Sequence, residues 1–284
     1  MALRINYNFE SVSAQRNLSQ TQGSFFRAIE QLSSGLRINK AADDAAGLAV
    51  SEKLKNQVRG LNQAQRNAQD SISLLQTAEG ALNETHSILA RMRELAVQSS
   101  NDTLTNADRL HIQDEVNQLL SEVDRIAAST QFNTIKLLDG NGAQSVQFHV
   151  GANFETGDFA NELNFTLGDA STAGISVANL ATGNAQSLTT QSGSNAAISV
   201  LDTAIEDISS RRGAIGAMQN RLTSTINSLG VAAENTGAAN SRIRDADVAS
   251  AVSEMVRNQI LQQSTMAVLA QANQAPQMAL QLLK

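Results

Sequence analysis

Three side chains of one predicted helix have the residue types and the spacing of metal ligands. Asp108, His111 and Glu115 follow one another at steps of three and four residues, which places them along one helix face. A protein metal site usually needs a third or fourth ligand from another part of the chain. The other two histidines are His86 and His149, and the chain has no HExxH motif. A solvated helix face explains the triplet better, and we predict no metal site.

The remaining reactive groups are weak candidates for catalysis. Asp43 and Asp44 are adjacent carboxylates, but sequence neighbours point to different helix faces, which favours a linker or a helix cap over acid–base catalysis. The DGNG turn at 139–142 lacks the glycine spacing of a nucleotide-binding loop. Arg211 with Arg212 is too small a basic patch to follow a phosphate backbone. Cysteine is absent, which excludes disulfides and thiol nucleophiles. We predict neither an enzyme nor a cofactor.

Charge is distributed unevenly along the 284 residues. Residues 71–210 carry a net charge of −12, whereas residues 1–70 and 211–284 each carry +3. An acidic middle argues against nucleic acid as a partner. The uncharged stretch from Asn258 to Leu283 contains too much Gln and Asn to span a bilayer, so no membrane partner is expected. The first residues lack a basic stretch followed by an apolar run, so no cleaved signal peptide is expected.

The composition and the spacing of apolar residues predict long helices. Aromatic residues make up only 3% of the chain, and small or medium side chains at regular spacing suit helices that lie side by side. Sustained spacing of seven, or alternating four and three, keeps an apolar seam facing a partner helix. The three runs are Leu54, Leu61, Ala68, Leu75, Leu82 and Leu89; Ile112, Val116, Leu119, Val123 and Ile126; and Leu201, Ile208, Ile215, Leu222 and Leu229.

Polar residues indicate where these helices begin and how they align. Thr105 and Asp108 have the spacing of a capping box before the second run, although Asp stands in for the usual Glu or Gln. Glu79 and Gln219 fall midway between heptad positions, where polar side chains commonly fix register while lowering stability. Between about residues 131 and 190, Gly, Asn, Asp and Thr increase, and alternating apolar residues at 146–150 and 163–167 predict a strand pair or small sheet.

Both ends of the chain are predicted to be helices with more apolar surface than a two-helix hairpin in water can cover. Chain ends usually fray unless something ties them down. We therefore expect the ends of a free molecule to be disordered, each forming half of a larger interface. The apolar positions are Leu18, Phe25, Phe26, Ile29 and Leu32 near the N-terminus and Val248, Val252, Met255, Val256 and Ile260 near the C-terminus.

Long, ordered motifs in both halves resemble those of bacterial flagellin. The N-terminal half contains INYNFESVSAQRNLSQTQ, LSSGLRINKAADDAAGLAVSEKL, RMRELAVQSSND and TQFNTIKLLDG. The C-terminal half contains SRIRDADVASAVSEMVRNQILQQSTMAVLAQANQAPQ and the closing LQLL. The likeness covers roughly residues 1–140 and 195–284. The stretch from Asn141 to Ser194 is similar only to a short version of the family's variable insert.

The resemblance implies a mainly α fold in which N- and C-terminal segments pair as long antiparallel helical rods, a coiled coil with a small β-hairpin region in the middle. Residues 1–44 and 244–284 would form a terminal helix pair in the inner filament core. Residues 45–243 would form a rod domain with helices at about 45–100, 105–129 and 195–235 and hairpins at about 131–190. The side chains implied in filament-core packing are Leu18, Phe25, Ile29, Leu32, Val252, Val256, Ile260, Leu269, Leu280 and Leu283.

The implied function is that of a structural subunit that polymerises into the extracellular flagellar filament for swimming motility. Implied partners are further copies of the chain, the flagellar export apparatus, a secretion chaperone for the C-terminal helix, and the filament cap and hook-junction proteins. A hook–filament junction protein is the alternative, but that group matches less well in the AADDAAGLAVSEKL and RELAVQ motifs. An adhesin or immune ligand is a further alternative, as is a flagellin with a peptidase in its insert, although this insert is short and lacks a zinc motif.

A surface constellation resembles the family segment bound by the Toll-like flagellin receptor of animal hosts. RMRELAVQ matches that segment and IQDEV matches its facing segment, so Arg91, Leu95 and Glu115 carry over as receptor-binding residues. From spacing alone, Arg91 and Leu95 are an exposed pair one helical turn apart, and Glu115 is a solvated acid on the next helix. The resemblance implies that the free monomer is recognised by the host receptor.

Overall fold

The computed structural model describes residues 7–140, 145–153 and 161–282, with side chains described as far as residue 274. Five α-helices occupy most of these ranges: Phe9–Ser34 (α1), Ala45–Ser99 (α2), Asn106–Ser129 (α3), Gln191–Arg244 (α4) and Val248–Leu282 (α5). Short strands and the 3-10 helix Ala178–Leu180 lie between α3 and α4. The predicted mainly α class with a small β region is confirmed.

The helix predicted at about 195–235 is longer in the structure, where α4 extends to Arg244. Gly237 lies in its last turns, but a single glycine costs only about 1 kcal/mol in a helix, and no proline interrupts the segment. The chain divides into two compact units, a central unit of Gln57–Ala233 and a terminal unit of the residues up to Asn56 and from Glu234 onward. Both divisions fall inside α2 and α4, and the predicted domain boundaries at 44/45 and 243/244 stay a prediction.

The core of the central unit is built from the predicted heptad residues. Burial of an aliphatic side chain contributes about 1.5–3 kcal/mol relative to leaving it exposed, so these seams hold the long helices together. On α3, Ile112, Val116 and Val123 are buried as expected, but Leu120 is buried in addition and Leu119 only half-buried. The heptad residues that are at most 1% exposed are Ala68, Leu75, Leu82 and Leu89 on α2 and Leu201, Ile208, Ile215 and Leu222 on α4.

Carboxylates cap the starts of α2 and α3. Thr105 Oγ1 accepts from Asp108 N at 3.3 Å and Asp108 Oδ2 accepts from Thr105 N at 2.9 Å, which confirms the predicted capping box. Asp44 Oδ1 accepts from Gly47 N at 2.8 Å at the start of α2. Asp43 Oδ2 accepts from two backbone N–H groups of the preceding turn. Asp44 therefore caps α2 and Asp43 stabilises the turn that precedes it, the linker and cap roles that the sequence favoured over catalysis.

Two β-hairpins lie in the described ranges between α3 and α4. Gln131–Phe132 (β1) pairs antiparallel with Ile135–Lys136 (β2), and Val146–His149 (β3) pairs antiparallel with Glu162–Phe165 (β4). The second hairpin is the predicted strand pair. In the turn of the first, φ is +47° at Asn133 and +68° at Thr134. Asn tolerates this left-handed region, but a β-branched residue rarely adopts it, so the backbone is strained at Thr134.

In the terminal unit, α1 packs along α5, and the most buried side chains of the two helices are alanines. Ala14, Ala28, Ala251 and Ala272 are at most 6% exposed, and Asn8 Nδ2 donates to the carbonyl of Ala272 at 2.7 Å. Residues 9–34 and 248–282 are helical in this structure, and the disorder expected for the ends of a free molecule stays a prediction. Small alanine side chains are almost fully buried between the helices, whereas large ones such as Phe26 and Ile260 stay exposed.

The connectors that flank this helix pair bind each other. Leu36 forms an isolated antiparallel bridge with Asp245. Arg37 N donates to the carbonyl of Arg244 at 2.7 Å, and Ala246 N donates to the carbonyl of Gly35 at 2.9 Å. Gly35 ends α1 at φ +71°, a left-handed conformation that favours glycine. The chain therefore leaves α1 and enters α5 through one hydrogen-bonded pair of connectors.

Candidate functional site

An ion pair joins α2 to α3 at two of the residues carried over as receptor contacts. Arg91 Nη2 and Nε lie 2.9 Å and 3.1 Å from Glu115 Oε1, and Arg91 Nη1 lies 3.2 Å from Glu94 Oε2. The hydrogen bond from Arg91 to Glu115, followed by that to Glu94, raises the pKa of Arg91. The side chains of Arg91 and Glu115 are 51% and 45% exposed. This face of the central unit presents a cation and its anion partner together.

Leu95 does not lie on this surface. It is 2% exposed and belongs to the main core with Leu89 and Met92. The expectation of an exposed Arg91–Leu95 pair is therefore wrong. Residues four apart on a helix differ by about 40° around its axis, and at the edge of a buried seam this angle separates a solvent-exposed side chain from a core side chain. Leu95 therefore lies in the core and not beside Arg91 on the surface.

The triplet considered as metal ligands has other partners in the structure. Asp108 is held by both the backbone N–H and the hydroxyl of Thr105, and Glu115 accepts from Arg91. His111 is exposed on α3. Within residues 7–140, 145–153 and 161–282, no three His, Asp or Glu side chains come together as metal ligands. The two carboxylates thus act as a helix cap and as an ion-pair partner.

The second candidate site is the apolar surface of α1 and α5. Ile29, Val252, Val256 and Ile260 are 38%, 38%, 43% and 57% exposed. Leu18, Phe25, Leu32 and Leu269 are half-buried, while Leu283 and the side chain of Leu280 lie outside the part of the chain that the structure describes. Further exposed apolar side chains that the implied packing set had not included are Tyr7, Phe9, Val12 and Phe26 near the N-terminus and Val248, Leu261, Met266 and Val268 on α5.

These side chains point to several sides of α5. Ile260 and Leu261 are sequence neighbours about 100° apart around the helix, and both are exposed. No charged residue occurs between Asn258 and Leu283. A helix that is uncharged beyond Arg257 and exposes large apolar side chains presents surface of the kind that marks an interaction site. Across the described residues, no helix is apolar over a stretch long enough to traverse a bilayer.

Two polar contacts of the central unit had no signal in the sequence. Arg93 Nε lies 2.5 Å from Asp202 Oδ1 and ties α2 to α4, although the two residues are 109 positions apart. Gln113 is fully buried, whereas glutamine on an amphipathic helix usually faces solvent. Glu79 and Gln219, singled out by their heptad positions, do meet, and Gln219 Nε2 donates to Glu79 Oε2 at 3.0 Å.

Comparison with known proteins is consistent across the chain. The model of the bacterial flagellin N-terminal helical region matches residues 5–143, and that of the C-terminal helical region matches residues 198–283. The chain is 50% identical over 280 residues to a flagellin of Halalkalibacterium halodurans, with 99% of each chain covered. It is 46% identical over 289 residues to the flagellar filament 33 kDa core protein of Treponema phagedenis, again with 99% of each covered.

A solved structure, that of a putative flagellar hook-associated protein from Vibrio parahaemolyticus, has a TM-score of 0.58 to this chain. The match covers 72% of this chain and 100% of the other chain at 15% identity, so the likeness concerns the fold alone.

The helices at the two ends of the chain, α1 and α5, pair with each other and leave apolar faces exposed. This arrangement is typical of structural proteins that assemble with copies of themselves. The chain belongs to the bacterial flagellin family, with a short variable region. It is a structural subunit of the flagellar filament, and the hook-junction alternative is less supported.

Proposed function

We propose that the exposed apolar faces of α1 and α5 are the surfaces through which copies of the chain pack in the filament. The observation that carries this proposal is Ile260, which is 57% exposed on a helix with no charge from Asn258 to Leu283. At roughly 25 cal/mol per Å², burying about 300 Å² of apolar surface contributes about 7 kcal/mol before the entropy of ordering is subtracted. Several such contacts per copy favour the assembled state.

Seeded growth of filaments tests this proposal. Filament fragments are mixed with purified wild-type chain or with Ile260→Asp, and elongation is measured by electron microscopy. Gln118→Asp is the matched control, because Gln118 is an exposed polar residue of α3, outside the terminal helices, and also gains one charge. Ile260→Asp is expected to stop elongation and Gln118→Asp to retain it. Elongation of Ile260→Asp at the wild-type rate contradicts the proposed packing surface.

We also propose that the free monomer is recognised by the host Toll-like flagellin receptor through Arg91 and Glu115. The proposal is supported by their mutual ion pair, which holds both side chains in place while leaving each about half exposed. Such a paired surface needs little reordering when a partner binds. Leu95 is retained in the proposal only as the buried support of this face.

Receptor signalling by single variants tests the recognition face. Arg91→Ala and Glu115→Ala are compared in a cell reporter assay with Arg125→Ala. Arg125 is the matched control, since it is an exposed arginine ion-paired to Glu122 on α3. The first two variants are expected to lower signalling at least roughly tenfold, as loss of a central charged contact does, and the control to leave it unchanged. Wild-type signalling by Arg91→Ala refutes the assignment.

Export and assembly partners are a further part of the proposal, supported by the similarity to flagellins. We propose secretion to the extracellular filament through the flagellar export apparatus, without removal of a signal peptide, together with contacts to the filament cap and hook-junction proteins. A secretion chaperone that covers α5 is supported by the exposed apolar side chains of that helix. Mass spectrometry of secreted protein tests the processing step, and a shortened N-terminus contradicts it. No catalytic role is proposed, and incubation with peptide substrates tests that point.

A further inference from the structure

An irregular segment of the central unit, residues 166–190, connects β4 to α4; we call it the strap. Apart from the 3-10 helix it has no regular secondary structure, so its backbone polar groups need partners elsewhere. Its apolar side chains are nevertheless among the most buried of the central unit. Those at most 4% exposed are Leu167, Ala170, Ile175, Val177, Leu180 and Leu188.

Gln113 of α3 provides two of the missing backbone partners from one side chain. Its Nε2 donates to the carbonyl of Leu180 at 2.8 Å, and its Oε1 accepts from the backbone N–H of Leu188 at 2.6 Å. Nε2 also donates to Asn117 Oδ1 at 3.0 Å, and Asn117 Nδ2 donates to Thr182 Oγ1 at 2.7 Å. A side-chain amide carries a donor and an acceptor at one end, and Gln113 uses both on backbone groups that lie eight residues apart in the strap.

The backbone carbonyl of Leu188 accepts a hydrogen bond from a side chain of α2. Ser99 Oγ donates to the Leu188 carbonyl at 2.9 Å, and Ser194 Oγ at the start of α4 donates to Ser99 Oγ at 2.9 Å. Arg109 of α3, only 5% exposed, donates from Nε to the Ser99 carbonyl at 2.8 Å. Residues of α2, α3, α4 and the strap thus meet in one buried hydrogen-bonded cluster.

We propose that this cluster is a register lock, in which Gln113 fixes the axial position of α3 against the second half of the strap. An apolar contact alone tolerates sliding, because it has little directional preference. In contrast, a one-residue shift of α3 by about 1.5 Å would leave the Leu180 carbonyl and the Leu188 N–H buried without partners. Buried, fully satisfied polar networks are a known means of specifying one arrangement.

The first half of the strap is held by residues other than Gln113. It therefore serves as an internal control for changes in the second half. Asp124 Oδ1 accepts from Thr172 N at 2.8 Å and its Oδ2 accepts from Thr172 Oγ1 at 3.1 Å. Arg211 Nη1 donates to the carbonyl of Asp169. Loss of Gln113 should therefore open residues 178–190 and leave residues 169–175 attached.

Amide hydrogen exchange followed by mass spectrometry of the full-length monomer tests the lock. Gln113→Leu keeps the size of the side chain and removes its hydrogen bonds. Gln118→Leu is the matched control, because Gln118 is the same residue type on the same helix but exposed. Gln113→Leu is expected to exchange roughly 10- to 100-fold faster at 178–190, the effect of leaving two buried backbone groups unpaired. Exchange at 169–175 and throughout Gln118→Leu should match the wild type.

Asn117→Ala keeps the test decisive if Gln113→Leu does not fold. This variant removes only the half-buried end of the network, and it is expected to accelerate exchange at 178–190 by roughly 3- to 10-fold. Acceleration confined to 178–190 in either variant supports the lock. Exchange that is unchanged, or that rises equally across the central unit, overturns it, because Gln113 would then be either dispensable or merely one more core residue.

Discussion

Replacing Leu95 by alanine is expected to destabilise the central unit strongly, although its position in the sequence suggested a surface residue. Leu95 is 2% exposed and packs in the main core with Leu89 and Met92. The substitution removes three buried carbon atoms at about 0.8 kcal/mol each, and the cavity left behind adds to this loss. We expect the free energy of unfolding to fall by about 3–4 kcal/mol, within the range of buried Leu→Ala changes.

Urea unfolding of the free monomer, followed by circular dichroism, measures this loss. Val97→Ala is the matched control, because Val97 is 48% exposed only two residues further along α2, and it should change stability by no more than about 0.5 kcal/mol. Arg91→Ala should leave the unfolding midpoint close to that of the wild type, since its ion pairs are solvent-exposed. A loss below about 1 kcal/mol for Leu95→Ala would refute the assignment of this side chain to the core.

Urea unfolding, combined with the receptor reporter assay, separates two ways in which a residue can affect receptor recognition. A contact residue lowers signalling while the unfolding midpoint is unchanged, as expected for Arg91→Ala. A supporting residue lowers signalling together with the unfolding midpoint, as expected for Leu95→Ala. Equal effects of the two variants on stability would contradict the division between the exposed ion pair and the core beneath it.

Three further predictions concern other parts of the chain. Thr134→Gly should raise the free energy of unfolding by about 1 kcal/mol in urea, because Thr134 is held at φ +68°; a loss of stability would contradict the inferred strain. The hydrogen bond from the backbone N–H of Thr105 is the larger cause, and that from its hydroxyl the smaller, by which the pKa of Asp108 falls below its ordinary 3.8. The ionised carboxylate therefore contributes its full stabilisation above that pH, and the contribution disappears as the pH falls through the folded-state pKa. Asp108→Asn should therefore lose less stability than the wild type on acidification, measured by urea unfolding at several pH values, and an unchanged dependence would oppose the capping assignment. Truncation after Arg257 should abolish seeded filament growth in electron micrographs, whereas fibres from the shortened chain would show that the rest of α5 is dispensable.

Periodicity in the sequence predicted the long helices and most of their core. Leu75, Leu82 and Leu89 are buried where the heptads placed them, because a regular apolar spacing can be satisfied only by a seam between helices. The capping box of Thr105 and Asp108 was equally visible, since both halves of that interaction lie within four residues of sequence. Local and repeating patterns were therefore predicted for the most part, with the exchange of Leu119 for Leu120 on α3 as the exception.

Contacts between distant residues could not be predicted in the same way. Leu95 was misplaced because its exposure depends on an angle of about 40° around α2 and on where α3 packs. Gln113 was overlooked, since its partners Leu180 and Leu188 are backbone groups 67 and 75 residues away in an irregular segment. Alternating residues predicted the β3–β4 hairpin, but no sequence pattern predicted how the strap that follows it would be held.

For the terminal helices, the sequence predicted exposed apolar surface, and the resemblance predicted their pairing. The sequence predicted apolar surface on several faces, and Val256 and Ile260 are indeed exposed on α5. The resemblance implied that the two terminal segments of one chain pair as helices, and α1 does pack along α5, with Ala28 and Ala251 among the most buried side chains. This pairing buries small side chains almost fully and leaves several large ones, such as Val256 and Ile260, exposed.

Comparing the exchange of α5 amides between free monomer and assembled filament tests the central claim, that copies of the chain cover the apolar faces of the terminal helices. We expect residues 248–272 to exchange at least roughly 100-fold more slowly in the filament, because burial against neighbours suppresses local opening. Amides near Leu75 and Leu82, already in the core of the single chain, should change little. Equal protection of α5 in monomer and filament would contradict the account, since neighbouring copies would then add no cover to this helix.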